Sequence, residues 1–174
     1  MKKFLLLIAF CSNAAFAQQM VKAGTIYSEH PYIIVVKRFA RQYGQVNPDD
    51  MAQLYADTVH FYGMTRYNAD TSRLAKNLPL KGQPIGEAKK GWMDIISNWQ
   101  DVKMTLIGQP EGYEYYRNPV FVVQSRWLLT MTNKKTKKTA YLELQLFDEF
   151  NDAGKIAVQR EYYDPTPLLI AMRP

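Results

Sequence analysis

Proton chemistry has few candidates in this chain: Asp57, His60 and Asp164 as acid or base, and Tyr62 and Tyr162 as hydrogen-bond donors. Asp57 stands in "YADT", and the segment "TVHFYG" that follows alternates His60 and Tyr62 with Val59 and Phe61. Near the other end, "GKIAVQREYYDPTP" closes on Tyr162, Tyr163 and Asp164. A carboxylate or imidazole can give or take a proton, and tyrosine hydroxyls and tryptophan N–H groups can stabilise the charge that develops. Desolvation in an apolar pocket would raise a carboxyl pKa and let it work near neutrality. Each candidate also has a purely structural account. Asp57 suits a helix-to-strand turn bonded to its own backbone, His60 a satisfied or exposed imidazole, and Asp164 the turn residue before Pro165. Strand alternation places Ile156, Val158, Arg160, Tyr162 and Asp164 on one face, and Ala157, Gln159, Glu161 and Tyr163 on the other. It leaves open which face looks inward.

Other chemistries lack their residues. There is no phosphate-binding glycine loop, no G-x-S-x-G elbow and no dinucleotide fingerprint, so no cofactor is expected. His30 and His60 are the only histidines, too few for a His-rich metal site. The single cysteine, Cys11, lies in "MKKFLLLIAFCSNAAFAQQ", where two lysines, an apolar run and Ala15-Phe16-Ala17 have the form of a signal peptide. Cleavage after Ala17 is expected, giving an exported protein, periplasmic or secreted, with no disulfide and no thiol nucleophile. The apolar run is far shorter than the roughly 20 residues that cross a bilayer, so no stable membrane insertion is expected. Loss of Lys2 and Lys3 lowers the formal charge of +6 by two. Part of the remainder sits in "NKKTKK", residues 133–138, read as a solvated hairpin tip, with an anion or membrane-surface contact as the alternative. No basic stripe with interleaved aromatics accompanies it, so no nucleic acid is expected.

These candidates need elements to hold them. Ile33, Val36, Phe39, Ala40 and Tyr43 recur at helical spacing from Pro31 to Tyr43, and Gly44 ends the run. Asn47, Pro48, Asp49 and Asp50 form a helix start, with Met51, Leu54 and Tyr55 as the apolar side of that helix. A short strand over 58–63 and a long polar stretch over 64–83 follow, the latter with one helical turn near Ser72 to Lys76. Between Pro84 and Trp99, Ile85, Ala88, Trp92, Ile95, Ile96 and Trp99 share one helical face. Four strand-like runs come next, 102–107, 120–132, 139–150 and 156–163, with hairpin turns at "KKTKK" and "NDAG". Phe121, Val123, Ser125, Trp127, Leu129 and Met131 share a face, as do Ala140, Leu142, Leu144 and Leu146. The opposite face carries Val120, Val122 and Leu128 and predicts a partner subunit. Helices first and an antiparallel sheet second define an α+β domain.

The order helix, capped helix, "LYADTVHFYG", long loop, "GQPIG" before a Trp-bearing helix, "WQDVKMTL", a long strand pair and "GKIAVQREYYD" resembles the SnoaL-like branch of the nuclear transport factor 2-like superfamily. The resemblance implies a cone-shaped barrel in which three N-terminal helices pack on a curved, mainly antiparallel sheet around an apolar cavity, in homodimers paired through the sheet. It covers residues 32–167 as the SnoaL-like domain, which with the signal peptide (1–17) leaves a lead (18–31) and a tail (168–174). It also implies an acidic residue near the pocket mouth, where Asp57 stands, and in some enzymes a reactive acid at the end of the last strand, at Asp164 or its neighbour. Tyr55, Tyr62, Trp92, Trp99, Ser125, Trp127, Leu142, Leu144 and Tyr162 are the expected ligand-binding residues. The inward faces are almost wholly apolar, which departs from enzymes that place a His or Asp pair inside the cone. Three readings follow: an exported protein binding a small apolar or amphipathic molecule; a small-molecule isomerase or lyase resembling the polyketide cyclases; and a protein-interaction or dimerisation module.

Overall fold

A computed structural model describes residues 24–45, 47–65, 83–115 and 120–174. The leader and the helical turn expected near Ser72 lie outside these residues. The element order is β1 (Gly24–Tyr27), α1 (Pro31–Gln45), α2 (Pro48–Ala52), β2 (Tyr55–Thr65), β3 (Gln83–Pro84), α3 (Ile85–Asn98), β4 (Trp99–Leu106), β5 (Glu111–Tyr115), β6 (Phe121–Asn133), β7 (Thr139–Phe150), β8 (Ile156–Tyr163) and α4 (Thr166–Met172).

The strands make one sheet in the order β1-β5-β6-β7-β8-β2-β3, with β4 beside the C-terminal half of β6. Every pairing is antiparallel except β2 with β8. The β6–β7 hairpin is the spine, paired without interruption from Phe121↔Phe150 to Thr132↔Thr139. Its tip closes because the Asn133 side-chain oxygen accepts from the backbone N–H of Lys135 and of Thr136, each at 3.0 Å, while Lys137 takes φ 62°. Gly154, at φ 71°, does the equivalent in the β7–β8 turn, a backbone region that glycine enters without steric cost.

The inward face of β6 buries Val123, Ser125, Trp127, Leu129 and Met131, and that of β7 buries Ala140, Leu142, Leu144 and Leu146. Helix α1 lays Ile33, Val36, Phe39 and Ala40 on this surface. Asn47 caps α2, accepting from the Asp50 N–H at 3.3 Å, and Met51 is its buried residue. That helix is shorter than its apolar pattern suggested. Tyr55 instead opens β2, a strand three residues longer at its start than the alternating run 58–63. Four elements fall where the sequence showed no periodicity. β1 lies in the N-terminal lead, β3 ends the stretch read as a polar loop, β5 follows the turn at Gly108, and α4 runs from the end of the expected domain into what was read as a tail. Helix α4 buries Ala171 against β6 and β7, and Leu168 packs on the same cluster.

Candidate functional site

The last strand decides the site, and one irregular residue decides the strand. Phe150 pairs with Ile156 and Glu149 with Val158, so Ala157 has no opposite number and forms a bulge. Ile156 points inward, fully buried; past the bulge the inward set becomes Gln159, Glu161 and Tyr163. Val158, Arg160 and Tyr162 face out. Arg160 there pairs with Glu149 and lies 4.9 Å over the Tyr62 ring, and Tyr162 packs edge-on against Phe147. Simple alternation joins Ile156 to Tyr162; the bulge separates them.

Inside the cone is a cavity of about 500 Å³. Phe39 and Tyr43 of α1, Phe61 of β2, Trp92 and Ile95 of α3, Trp99 and Met104 of β4, Leu129 and Met131 of β6, and Leu142, Leu144 and Leu146 of β7 wall it, with Leu168 of α4 across one side. Gly91 thins the α3 wall, and a side-chain carbon there would meet nothing within 4 Å. Two carboxyls reach the cavity: Glu87, exposed on the first turn of α3, and Glu161 from β8. Glu161 is half-buried, its accessible part lining the cavity, and desolvation pushes its pKa up to about 7. Among the described residues no hydrogen bond or ion pair reaches its carboxylate. Tyr43 and Tyr163 line the same space, and both hydroxyls are pushed up, by burial first and then by the Glu161 charge.

Behind the cavity runs a sealed polar chain. The Tyr55 hydroxyl donates to Gln159 Oε1 at 2.9 Å, and Gln159 Nε2 donates to Asp148 Oδ1 at 2.7 Å. Asp148 is fully buried and its Oδ2 has no partner among the described residues. Burial pushes its pKa up to about 7; the Gln159 hydrogen bond opposes that shift, and the nearby Glu161 charge adds to it.

The residues expected from sequence distribute as follows. Trp92, Trp99, Leu142 and Leu144 line the cavity. Tyr55, Ser125 and Trp127 are buried beside it, the Trp127 indole N–H donating to Ser125 Oγ at 2.8 Å rather than into the space. Asp57 is exposed in β2, His60 and Tyr62 run with the outward residues of β8, and Tyr162 is on the outer face. Asp164 is exposed and accepts from the Thr166 N–H and hydroxyl at 2.9 and 2.7 Å, tying down the start of α4. Asp148 and Glu161 were the omissions. Asp148 continues the inward alternation Leu142, Leu144, Leu146, so its placement was readable; Glu161 was readable only once the inward face of β8 was known.

The sequence matches no family model and no curated relative. Solved structures with this fold are numerous. A putative isomerase from Bacillus subtilis superposes with a TM-score of 0.60 at 14% identity, over 79% of this chain and 89% of its own. A nuclear transport factor 2-like protein of unknown function from Burkholderia pseudomallei gives 0.61 at 9% identity, over 84% and 100%. A putative polyketide cyclase from Xanthomonas campestris gives 0.59 at 10% identity, again over 84% and 100%. At these identities the likeness is one of fold.

Proposed function

We propose that this chain, which has the cone fold of the nuclear transport factor 2-like superfamily, binds a small, largely apolar molecule in the cavity, with Glu161 as its polar anchor. The observation that carries the reading is the cavity itself: about 500 Å³ of space walled by aromatic and aliphatic side chains, with the Glu161 carboxyl in its lining. Binding sites for small molecules have this composition, apolar walls with few placed polar groups. An interaction module working through its outer sheet would have no need of the space. The test is a titration with naphthalene, a neutral apolar probe, followed by the fluorescence of Trp92 and Trp99. Saturable quenching is expected, and linear, non-saturating quenching would overturn the reading.

A second reading, an isomerase or lyase, is favoured by the Glu161 pKa near 7. A carboxylate poised there can take a proton from a carbon beside a carbonyl and return it at another position, a shift that needs no co-reactant. Glu161 would fill the role that sequence reading assigned to Asp57, His60 or Asp164, all of which stand outside the cavity lining. For the whole protein we propose export after cleavage at Ala17, checked by N-terminal sequencing of the secreted or periplasmic product, which should begin at Gln18. A homodimer through the outer sheet face, where Leu128 and Tyr141 are exposed, is the expected assembly. A monomer in sedimentation velocity would overturn it.

A further inference from the structure

We infer that the cavity selects a cationic ligand, an apolar amine or quaternary ammonium whose charged head sits between the Glu161 carboxylate and the surrounding aromatic rings. The inference rests on the cavity being a ligand site and adds the chemical class of what enters it.

Charge carries it first. Among the described residues the lining holds two carboxylates and no lysine, arginine or histidine. Basic groups on the enclosing elements are turned away or engaged elsewhere. Lys37, Arg38 and Arg41 are on the exposed side of α1, Lys89 of α3 pairs with Asp49, Arg126 of β6 pairs with Glu143, and Arg160 of β8 pairs with Glu149 on the outer face. Asp148, sealed behind the wall, adds a third acid and no compensating charge. An anionic ligand would therefore meet an uncompensated negative site, and a neutral one would leave the Glu161 carboxylate without a counter-charge. A cation supplies the missing counter-charge, and burying a carboxylate is tolerated when it is paired.

The rings carry it second. Tyr43, Phe61, Trp92, Trp99 and Tyr163 line the same space, and the negative face of an aromatic ring attracts an ammonium group, most strongly where water is excluded. Neither Trp92 nor Tyr163 is covered by a protein cation, the cation–ring contact found among the described residues being Arg160 on Tyr62, outside the cavity. The aliphatic wall of Leu129, Leu142, Leu144 and Met131 then accommodates the ligand's tail.

Octylamine, 1-octanol and octanoate share one tail and differ in head-group charge, so calorimetric titration of the full chain with each separates the alternatives. At pH 8 octylamine should bind roughly tenfold or more tightly than octanol, with octanoate weakest. Glu161→Gln should remove that preference, bringing octylamine to within about threefold of octanol in the same variant. In the wild type, octylamine affinity should rise as pH increases through about 7, where Glu161 ionises, and octanol affinity should not rise. This second measurement stands even if the variant fails to fold. Octanol or octanoate binding as tightly as the amine would overturn the cationic preference alone. If none of the three binds, the cavity reading falls with it.

Discussion

Asp148, fully buried, and Glu161, half-buried, are acids on neighbouring strands, and their surroundings divide the interior into a closed end and an open end. Each is pushed up to about 7, with desolvation the largest cause. Asp148 faces Gln159 across the β7–β8 ladder and is stitched through it to Tyr55; Glu161, two residues further along β8, faces Leu146 and the cavity. Similar pKa values thus accompany opposite surroundings. Where protein donors fill the space, the acid holds the strands in register. Where the space is open, the raised pKa supports the binding or proton-transfer role that we propose for Glu161.

Breaking the closed end should have the largest effect. Gln159→Ala removes the donor to Asp148 and the acceptor for Tyr55 together, and should cost about 3–5 kcal/mol in urea denaturation. Glu161→Gln, at the open end, should cost under about 1 kcal/mol. Equal losses would erase the distinction between the two ends.

The pH dependence comes next. Both acids have folded-state pKa values raised above their unfolded values. Their contribution is therefore fully present below the unfolded carboxyl range and lost as pH rises through about 7. Stability should fall between about pH 4 and pH 7, with Asp148 supplying about 2–4 kcal/mol of the change. Asp148→Asn should flatten the profile by that amount, and an unchanged profile would show that Asp148 is not the group responsible.

Filling the open end separates stability from binding. Gly91→Phe projects a ring from α3 where nothing lies within 4 Å of a side-chain carbon. Naphthalene affinity should drop about tenfold, while the fold gains up to about 1 kcal/mol from replacing a helical glycine. Loss of both would mean that the α3 wall has no spare room. The outer face of β8 offers the smallest effect: Arg160→Ala removes a part-exposed pair with Glu149 and should cost under about 1 kcal/mol by thermal denaturation, with binding unchanged.

Much of this molecule is legible in its residues. The helical spacing of Ile33, Val36, Phe39 and Ala40, and the strict alternation through β6 and β7, placed the α+β core and its inward faces, because a period of two or 3.6 has only one way to bury an apolar stripe. The cavity walls Trp92, Trp99, Leu142 and Leu144 came with them. β1, β3, β5 and α4 did not, since short elements acquire their structure from the partners they cover rather than from their own pattern. Asp57, His60 and Asp164 are candidates by residue type, which carries no information about direction.

Direction on β8 was decided by Ala157. The sequence by itself determined two alternating sets of residues and the turn that begins the strand; no residue type marks a bulge at that alanine. Only pairing on both edges, β7 on one side and β2 on the other, requires one residue to be left unpaired there. That single slip turns Gln159, Glu161 and Tyr163 inward and Arg160 and Tyr162 outward, because side chains on a strand alternate and a shift of one exchanges the faces. The local order was written in the chain. Which acid faces the cavity was settled by the neighbours of its strand.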